Sequence, residues 1–283
     1  MENNPIKAHF YTKPEEIFIT ARLTSIVDIG ANPIDGDPPY KSMLQQDLCH
    51  VYGFEPQPHA LAQLLNLKSA NETYLSDAVG DGNQHTLNIT NATGMVSLLK
   101  PNQRQLDLFK DFSEWGKVIT QEPIQTKRLD DLVAIKHIDL LKIDIQGAEL
   151  MVFQHGREKL KEAVFIQTEV SFVNLYEDQA SFGDIDLEMR LQGFIPHTFT
   201  AIKNWPIKAS WNEYGGQQFN QLLEADIVYI KDIAYPEKLT DNQLMHMAMI
   251  AHHVYKSVDL AGWAIKELEK RSVIEKGTYQ YIN

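Results

Sequence analysis

The stretch IVDIGANPIDGDPPY, residues 26 to 40, starts as a buried strand and breaks after Asp28 into Gly30, Asn32 and a run of acids and prolines. Ile26 and Val27 are apolar, Asp28 is a residue type that buried strands avoid, and Gly30 lets the backbone turn with no side chain in the way. Such a turn holds a ligand if its strand lies in a parallel sheet. The rest of the chain supplies that sheet, because short apolar runs alternate with helical patterns. The candidate strands are SIVDIG, HVYGFE, TYLSDAVG, TLNIT, IDLLKIDIQ, AVFIQTEVSF and ADIVYIK, with helices expected at about residues 40–47, 58–67, 148–160 and 183–192. Gly193 in LQGF stands where a helix C-cap is expected. Residues 201–224, with Trp205, Trp211, Gly215 and Gly216, read as a long lid-like loop. From Thr240 the pattern is helical again, with Leu244, Met247, Ala248, Ala251, Val254 and Tyr255 on one face. The expected organisation is an N-terminal segment 1–23, an α/β domain 24–236 and a C-terminal helical extension 237–283.

Composition narrows the classes of function. The chain has 283 residues, 43% of them apolar, enough for one large α/β domain with extensions. Its 38 acids against 26 bases give a net charge of -12, which argues against a phosphate-driven nucleic-acid interface or an anionic membrane surface. Met1 to Thr12 lacks a basic start followed by an apolar run, and no window reaches the roughly 20 apolar residues of a membrane span. A cytoplasmic protein is the expectation. Cys49 is the only cysteine, so thiolate-rich metal sites and internal disulfides are excluded, and core filling is its expected role.

A second informative stretch is VYGFEPQP, where Glu55 closes an apolar strand 25 residues after Gly30. An acid at the end of the second strand of a nucleotide-binding unit accepts hydrogen bonds from both ribose hydroxyls. A dinucleotide fold also needs G-x-G-x-x-G at the first turn, whereas Gly30 is followed by Ala31, Asn32 and Pro33, with acids at Asp35 and Asp37. Those acids repel a pyrophosphate but tolerate a ligand carrying a sulfonium and an ammonium. S-adenosylmethionine is favoured over NAD on these residues.

With DIGAN, FEPQP, SDAVGD, RLDDL and IDLLKIDIQGAE in that order over about residues 24 to 200, the chain resembles the FkbM family of S-adenosylmethionine-dependent methyltransferases. The resemblance implies a Rossmann-like class I methyltransferase fold, a mostly parallel sheet flanked by helices with the cofactor at the C-terminal strand edges. It also implies O-methylation of a hydroxyl on a sugar or natural product. By matching position, Asp28, Gly30 and Asn32 line the methionine end, Glu55 holds the ribose, Asp77 and Ala78 lie beside the adenine, and Asp144 and Gln146 stand where methyl and acceptor meet. The chain departs from the family pattern at Ile34, where a glycine is usual, and at Arg128, where a threonine usually precedes LDDL. Either the first turn is enlarged or Asp35 and Asp37 are recruited.

Methyl transfer from a sulfonium is an in-line displacement, so positioning supplies most of the rate, and an alcohol acceptor must still lose its proton. Asp144 is the first choice of base, with Glu169 of IQTEVSF second and Lys142 as an orienting charge; Glu169 could equally be a buried partner of Lys142. A magnesium ion held by Asp144 and Glu169 is conceivable, although the sequence contains no complete ligand set. His246, His252 and His253 are expected to be surface or packing residues, and Tyr176 to be core or acceptor-facing. The alternatives are an N-methyltransferase, an NAD oxidoreductase, disfavoured because YEDQ at 176–179 lacks the lysine of a Tyr-x-x-x-Lys pair, and a non-catalytic cofactor-binding assembly protein. The expected partner is a small-molecule acceptor. A homodimer is expected to cover the apolar stripe that runs from Leu244 to Leu268.

Overall fold

Six consecutive buried residues form β1 (Thr24–Ile29), the centre of the fold, in a computed structural model that describes residues 13–18, 20, 22–32, 36–208 and 220–277. The chain continues through α1 (Lys41–Gln45), β2 (Cys49–Phe54), α2 (Pro58–Leu67) and β3 (Glu72–Leu75). It then leaves the main sheet for β4 (Ala78–Gly80), β5 (Gln84–Thr90), the short helices α3 (Gln103–Leu106) and α4 (Phe112–Trp115), and β6 (Val118–Arg128). It returns through β7 (Leu140–Ile143), α5 (Glu149–Gln154), β8 (Phe165–Ser171), α6 (Phe182–Leu191), β9 (Phe194–Asn204) and β10 (Leu222–Lys231), and ends in α7 (Asp241–His253) and α8 (Val258–Lys270).

The seven-stranded sheet has the order β3-β2-β1-β7-β8-β10-β9. Its first five strands are parallel, and β10 runs antiparallel to both β8 and β9. The sheet is mostly parallel and flanked by helices, with the architecture of a class I methyltransferase. Strand order reverses between β1 and β7, and at such a switch point the connections leave in opposite directions and open a crevice at the C-terminal strand ends. β4, β6 and β5 make a separate three-stranded sheet.

The two-residue period of β1 divides the core. Val27 and Ile29 join Leu141 and Ile143 beneath α5 and α6, through Val152, Phe153, Ile185 and Met189. Ile26 faces the other way and joins Val51, Leu140 and Val228 against α7 and α8, through Leu244, Met247, Ile250 and Leu268. Both faces are covered, which is why β1 carries no solvent-facing residue. Cys49 is buried in the second cluster, and burial pushes its thiol up to about 12.

Several elements differ from the sequence expectation. TYLSDAVG is two strands: β3 pairs with β2 in the main sheet and β4 pairs with β6 in the small one, with Ser76 and Asp77 at the corner. The helix expected over 148–160 closes at Gln154. The expected loop 201–224 is strand at both ends, because β9 runs to Asn204 and β10 begins at Leu222; Trp211, Gly215 and Gly216 lie outside the described residues. Strand β6 had no expectation, since its residues are mostly exposed and polar. The C-terminal pattern breaks at residues 254–257 into two helices whose apolar faces are buried against the sheet, so the Leu244–Leu268 stripe is covered within the chain. Gly193 does follow α6, at φ +78°. No described helix is long and apolar enough to cross a membrane.

Candidate functional site

Two hollows open at the switch point, and they share only a few walls. The first is lined by Gly30, Asn32, Glu55, Asp77, Ala78, Asp144 and Gln146 among others. The second is lined by Asp28, Lys142, Gln167, Thr168, Glu169 and Asp226, again with Gly30, Asn32 and Asp144. The residues expected to bind cofactor therefore face the first hollow, apart from Asp28. The residues expected to act on the acceptor face the second.

The shared wall follows from backbone geometry. Gly30 N–H donates to Phe54 O at 3.0 Å and Asp144 N–H to Ile29 O at 3.0 Å, so the ladders of β1, β2 and β7 run into the site. Gly30 has φ +81°, and a Cβ there would stand 2.0 Å from the Asp144 carbonyl oxygen. Only glycine fits, because the β1 and β7 ends pass too closely for a side chain. Ile34 and Asp35 lie outside the described residues; Asp37 pairs with Lys41 at 2.5 Å and lines the second hollow.

In the first hollow Glu55 is buried, and its Oε1 accepts from Gln57 N–H at 2.8 Å. Burial raises its pKa, against the Gln57 hydrogen bond, and the charge of Asp28 adds to the rise. Asp77 pairs with Lys127 of β6 at 2.7 Å, and Ala78 is the first residue of β4. The small sheet and the 93–98 turn complete the hollow with Leu87, Thr93, Val96 and Ile124, a mainly apolar wall suited to a flat base. A buried acid beside an apolar slot offers an acceptor for hydroxyls and a wall for a flat base, the two features a nucleoside needs.

Asp28 is not free. Its Oδ2 accepts from Tyr40 Oη–H at 2.5 Å and its Oδ1 from Lys142 Nζ at 3.1 Å. Burial pulls the Lys142 ammonium down, but Asp28, Asp144 and Asp226 outweigh it and leave the pKa raised. Glu169 pairs with Lys203 of β9 at 2.8 Å rather than with Lys142, and Lys203 also reaches Glu224 of β10 at 3.6 Å. Burial pushes Glu169 well above the usual carboxylate range, and Asp144 and Glu224 add to it while Lys203 opposes.

The turn between β7 and α5 carries the densest network. Gln146 has φ +59° and Gly147 φ +105°. A non-glycine residue in that region is strained by about 1–3 kcal/mol, so the surroundings must impose the conformation. Glu149 does so by accepting from Ile145 N–H at 2.9 Å and Gly147 N–H at 3.1 Å, while Ser97 Oγ–H donates to Gln146 O at 2.6 Å. The Gln146 side chain donates through Nε2 to Asp144 Oδ1 at 2.9 Å and Glu169 Oε2 at 3.0 Å, and accepts from Tyr176 Oη–H at 2.9 Å. Asp144 and Glu169 are thus joined by an amide, and among the described residues no cluster of three or more metal-ligating side chains occurs.

Tyr40, Ser97, Glu149, Lys203 and Glu224 were given no role from sequence. Only Glu149, the acid closing the IDLLKIDIQGAE motif in front of a helix, carried a local signal. The histidines are packing residues: His246 Nδ1 meets Thr24 Oγ1 at 3.0 Å and His253 Nε2 meets Glu15 Oε2 at 2.6 Å.

Comparison with known proteins adds the family. Among solved structures the chain is similar to the magnesium protoporphyrin IX methyltransferase ChlM of Synechocystis PCC 6803 with bound SAM (10% identity, 74% of this chain and 71% of that one, TM-score 0.39). It is also similar to the precorrin-6y C5,15-methyltransferase of Geobacter metallireducens GS-15 (11% identity, 77% and 84%, TM-score 0.39). Among curated proteins it is 29% identical over 163 residues to the 2-O-methyltransferase NoeI of Sinorhizobium fredii (strain NBRC 101917 / NGR234), a match spanning 54% of this chain and 66% of that protein. The family model described as the methyltransferase FkbM domain matches residues 28–196, which hold the end of β1, Glu55, the β7–α5 turn and Glu169, and the chain belongs to the FkbM family of S-adenosylmethionine-dependent methyltransferases.

Proposed function

We propose that the chain methylates a hydroxyl oxygen of a small polyhydroxylated molecule, a sugar or a natural product, with Asp144 as the base. The observation that carries this reading is the meeting of the two hollows at Gly30, Asn32 and Asp144. A donor in one and an acceptor in the other can touch only there, and the one acid at that junction is Asp144. NoeI, named a 2-O-methyltransferase, supports oxygen as the acceptor atom.

Glu55 and the small sheet hold the ribose and base, and Asn32 with Gly30 borders the methionine end. S-adenosylmethionine, when bound, supplies an electrophilic methyl on a sulfonium. Asp144 takes the acceptor hydroxyl proton, and Gln167, Thr168 and Lys142 offer the second hollow donors and acceptors that orient a polyol. Glu169, which burial holds above the usual carboxylate range, serves as support for the base.

Asp144→Asn keeps the size of the side chain and removes the base. It is expected to bind S-adenosylmethionine within about 3-fold of wild type and to lose methyl transfer by about 100-fold or more, measured with labelled methyl donor over a panel of sugar acceptors. Full turnover in that variant would sink the assignment.

A further inference from the structure

Gln146 is half-buried between two carboxylates in a backbone conformation that its surroundings impose, and nothing in the reaction as described needs that strain. Both donors of its amide are used and its oxygen is engaged: the nitrogen donates one hydrogen to Asp144 Oδ1 and one to Glu169 Oε2, and the oxygen takes the Tyr176 hydroxyl hydrogen. Tyr176 also lies 3.3 Å from Met95 O and is 1% exposed, so the phenol is fixed in turn. A reversed amide would aim its oxygen at both carboxylates and its nitrogen at the phenol oxygen, so this orientation is the one the network permits. The backbone is held equally, by Ser97 on the Gln146 carbonyl and by Glu149 on the amides to either side. Asp144 Oδ2 accepts no hydrogen bond among the described residues.

We propose that Gln146 is a positioning residue whose amide, fixed by Tyr176 and Ser97, ties the Asp144 carboxylate to Glu169 and leaves Oδ2 for the acceptor hydroxyl. This deepens the reading of Asp144 as the base and rests on it. The charged and titratable groups around the pair are Lys142 on β7, Glu149 on α5, Lys203 on β9, Glu224 and Asp226 on β10, and Tyr176. The acids exceed the bases in this set, so the hydrogen bond that Gln146 donates to Asp144 Oδ1 supports that carboxylate against its acidic neighbours.

The test uses the full chain labelled with carbon-13 at Asp and Glu carboxyls, with the Asp144 resonance assigned by its loss in Asp144→Asn. Gln146→Met keeps the length of the side chain without its donors. It should raise the Asp144 titration midpoint by about one pH unit, the scale of one lost charge-assisted hydrogen bond. Tyr176→Phe leaves the amide in place but unanchored, and should raise the midpoint in the same direction by less. It serves as the test if Gln146→Met fails to fold. An unmoved Asp144 midpoint in whichever variant folds overturns the clamp. Calorimetry with S-adenosylmethionine separates the two ideas: a wild-type chain that fails to bind it overturns the functional reading and leaves the titration result standing, whereas Gln146→Met with lost cofactor affinity and an unmoved midpoint makes Gln146 a cofactor contact only.

Discussion

Gly30 and Glu55 set the cofactor hollow by opposite means, one by having no side chain and the other by burying a charge. Gly30→Ala puts a methyl group 2.0 Å from the Asp144 carbonyl oxygen at a positive φ, so the β1–β7 contact must open. The expected outcome is a drop in unfolding free energy of about 3 kcal/mol or more in urea titrations, and a variant as stable as wild type would show that the strand ends are not packed as described. Glu55→Ala has a different signature. The carboxylate already accepts from Gln57, and its burial means that ribose hydroxyls meet a poorly solvated charge. Its loss is expected to weaken S-adenosylmethionine binding by about 1–3 kcal/mol in calorimetry, with the melt of the free protein little changed. These two residues could be read from sequence because glycine at a strand end and an acid closing an apolar run are local signals. Asp28, Lys142 and Glu169 were visible as chemistry but not as partners. The pairing of Glu169 with Lys203 joins residues 34 apart through the β8–β10–β9 register, and Tyr40 reaches Asp28 across the segment that departs from the family pattern.

Between residues and the whole molecule stands the β7–α5 turn, where Glu149 is a buried carboxylate spent on backbone amides. Burial and the neighbouring charge of Asp144 raise its pKa to about 7, against the hydrogen bonds it accepts. A carboxyl whose folded pKa exceeds its unfolded one binds more protons in the native state between the two values, so this group lowers stability as pH rises from about 4.5 to about 7. Glu149→Gln keeps an oxygen acceptor and cannot ionise. Relative to wild type it is expected to gain stability on going from pH 5 to pH 8, by at most about 3 kcal/mol for that shift. Denaturant titrations at the two pH values measure it, and parallel pH dependences for the two proteins would remove Glu149 as the titrating group. The elements themselves were legible where burial dictated them. β1, β2, β7, β8 and β10 are apolar because both sheet faces are covered, and α6 ends at a glycine. β9 escaped because an edge strand facing solvent has no apolar period to show, β6 because its residues are mostly exposed and polar although it is central in the small sheet, and the corner at Asp77 because a change of sheet leaves the strand pattern intact.

At the scale of the molecule, the C-terminal helices decide how much of the chain is one folding unit. In sequence they carry an apolar stripe with no visible core to join, a pattern that suits contact with a second copy of the chain. The stripe is instead spent inside the chain: Leu244, Met247, Ile250, Leu260 and Leu268 are at most 3% exposed and share a cluster with Ile26, Val51, Leu140 and Val228 on one face of the central sheet. That covering could not be read in advance, because an apolar helix face looks the same whether it meets its own sheet or a neighbour's. α7 and α8 supply most of the cover of that sheet face, beside Phe18, Tyr40 and Met43, so removing the helices leaves much of the inner side of β1, β2 and β7 in water. A chain ending at Leu239 is therefore expected to lose its cooperative unfolding transition and to aggregate, where a dimerisation appendage would leave a soluble, folded monomer. Ile250→Ala tests the same packing more gently, with an expected loss of about 2–5 kcal/mol in denaturant titrations and no change in mass by light scattering. A soluble chain ending at Leu239 with a sharp thermal transition would return α7 and α8 to the role of an appendage.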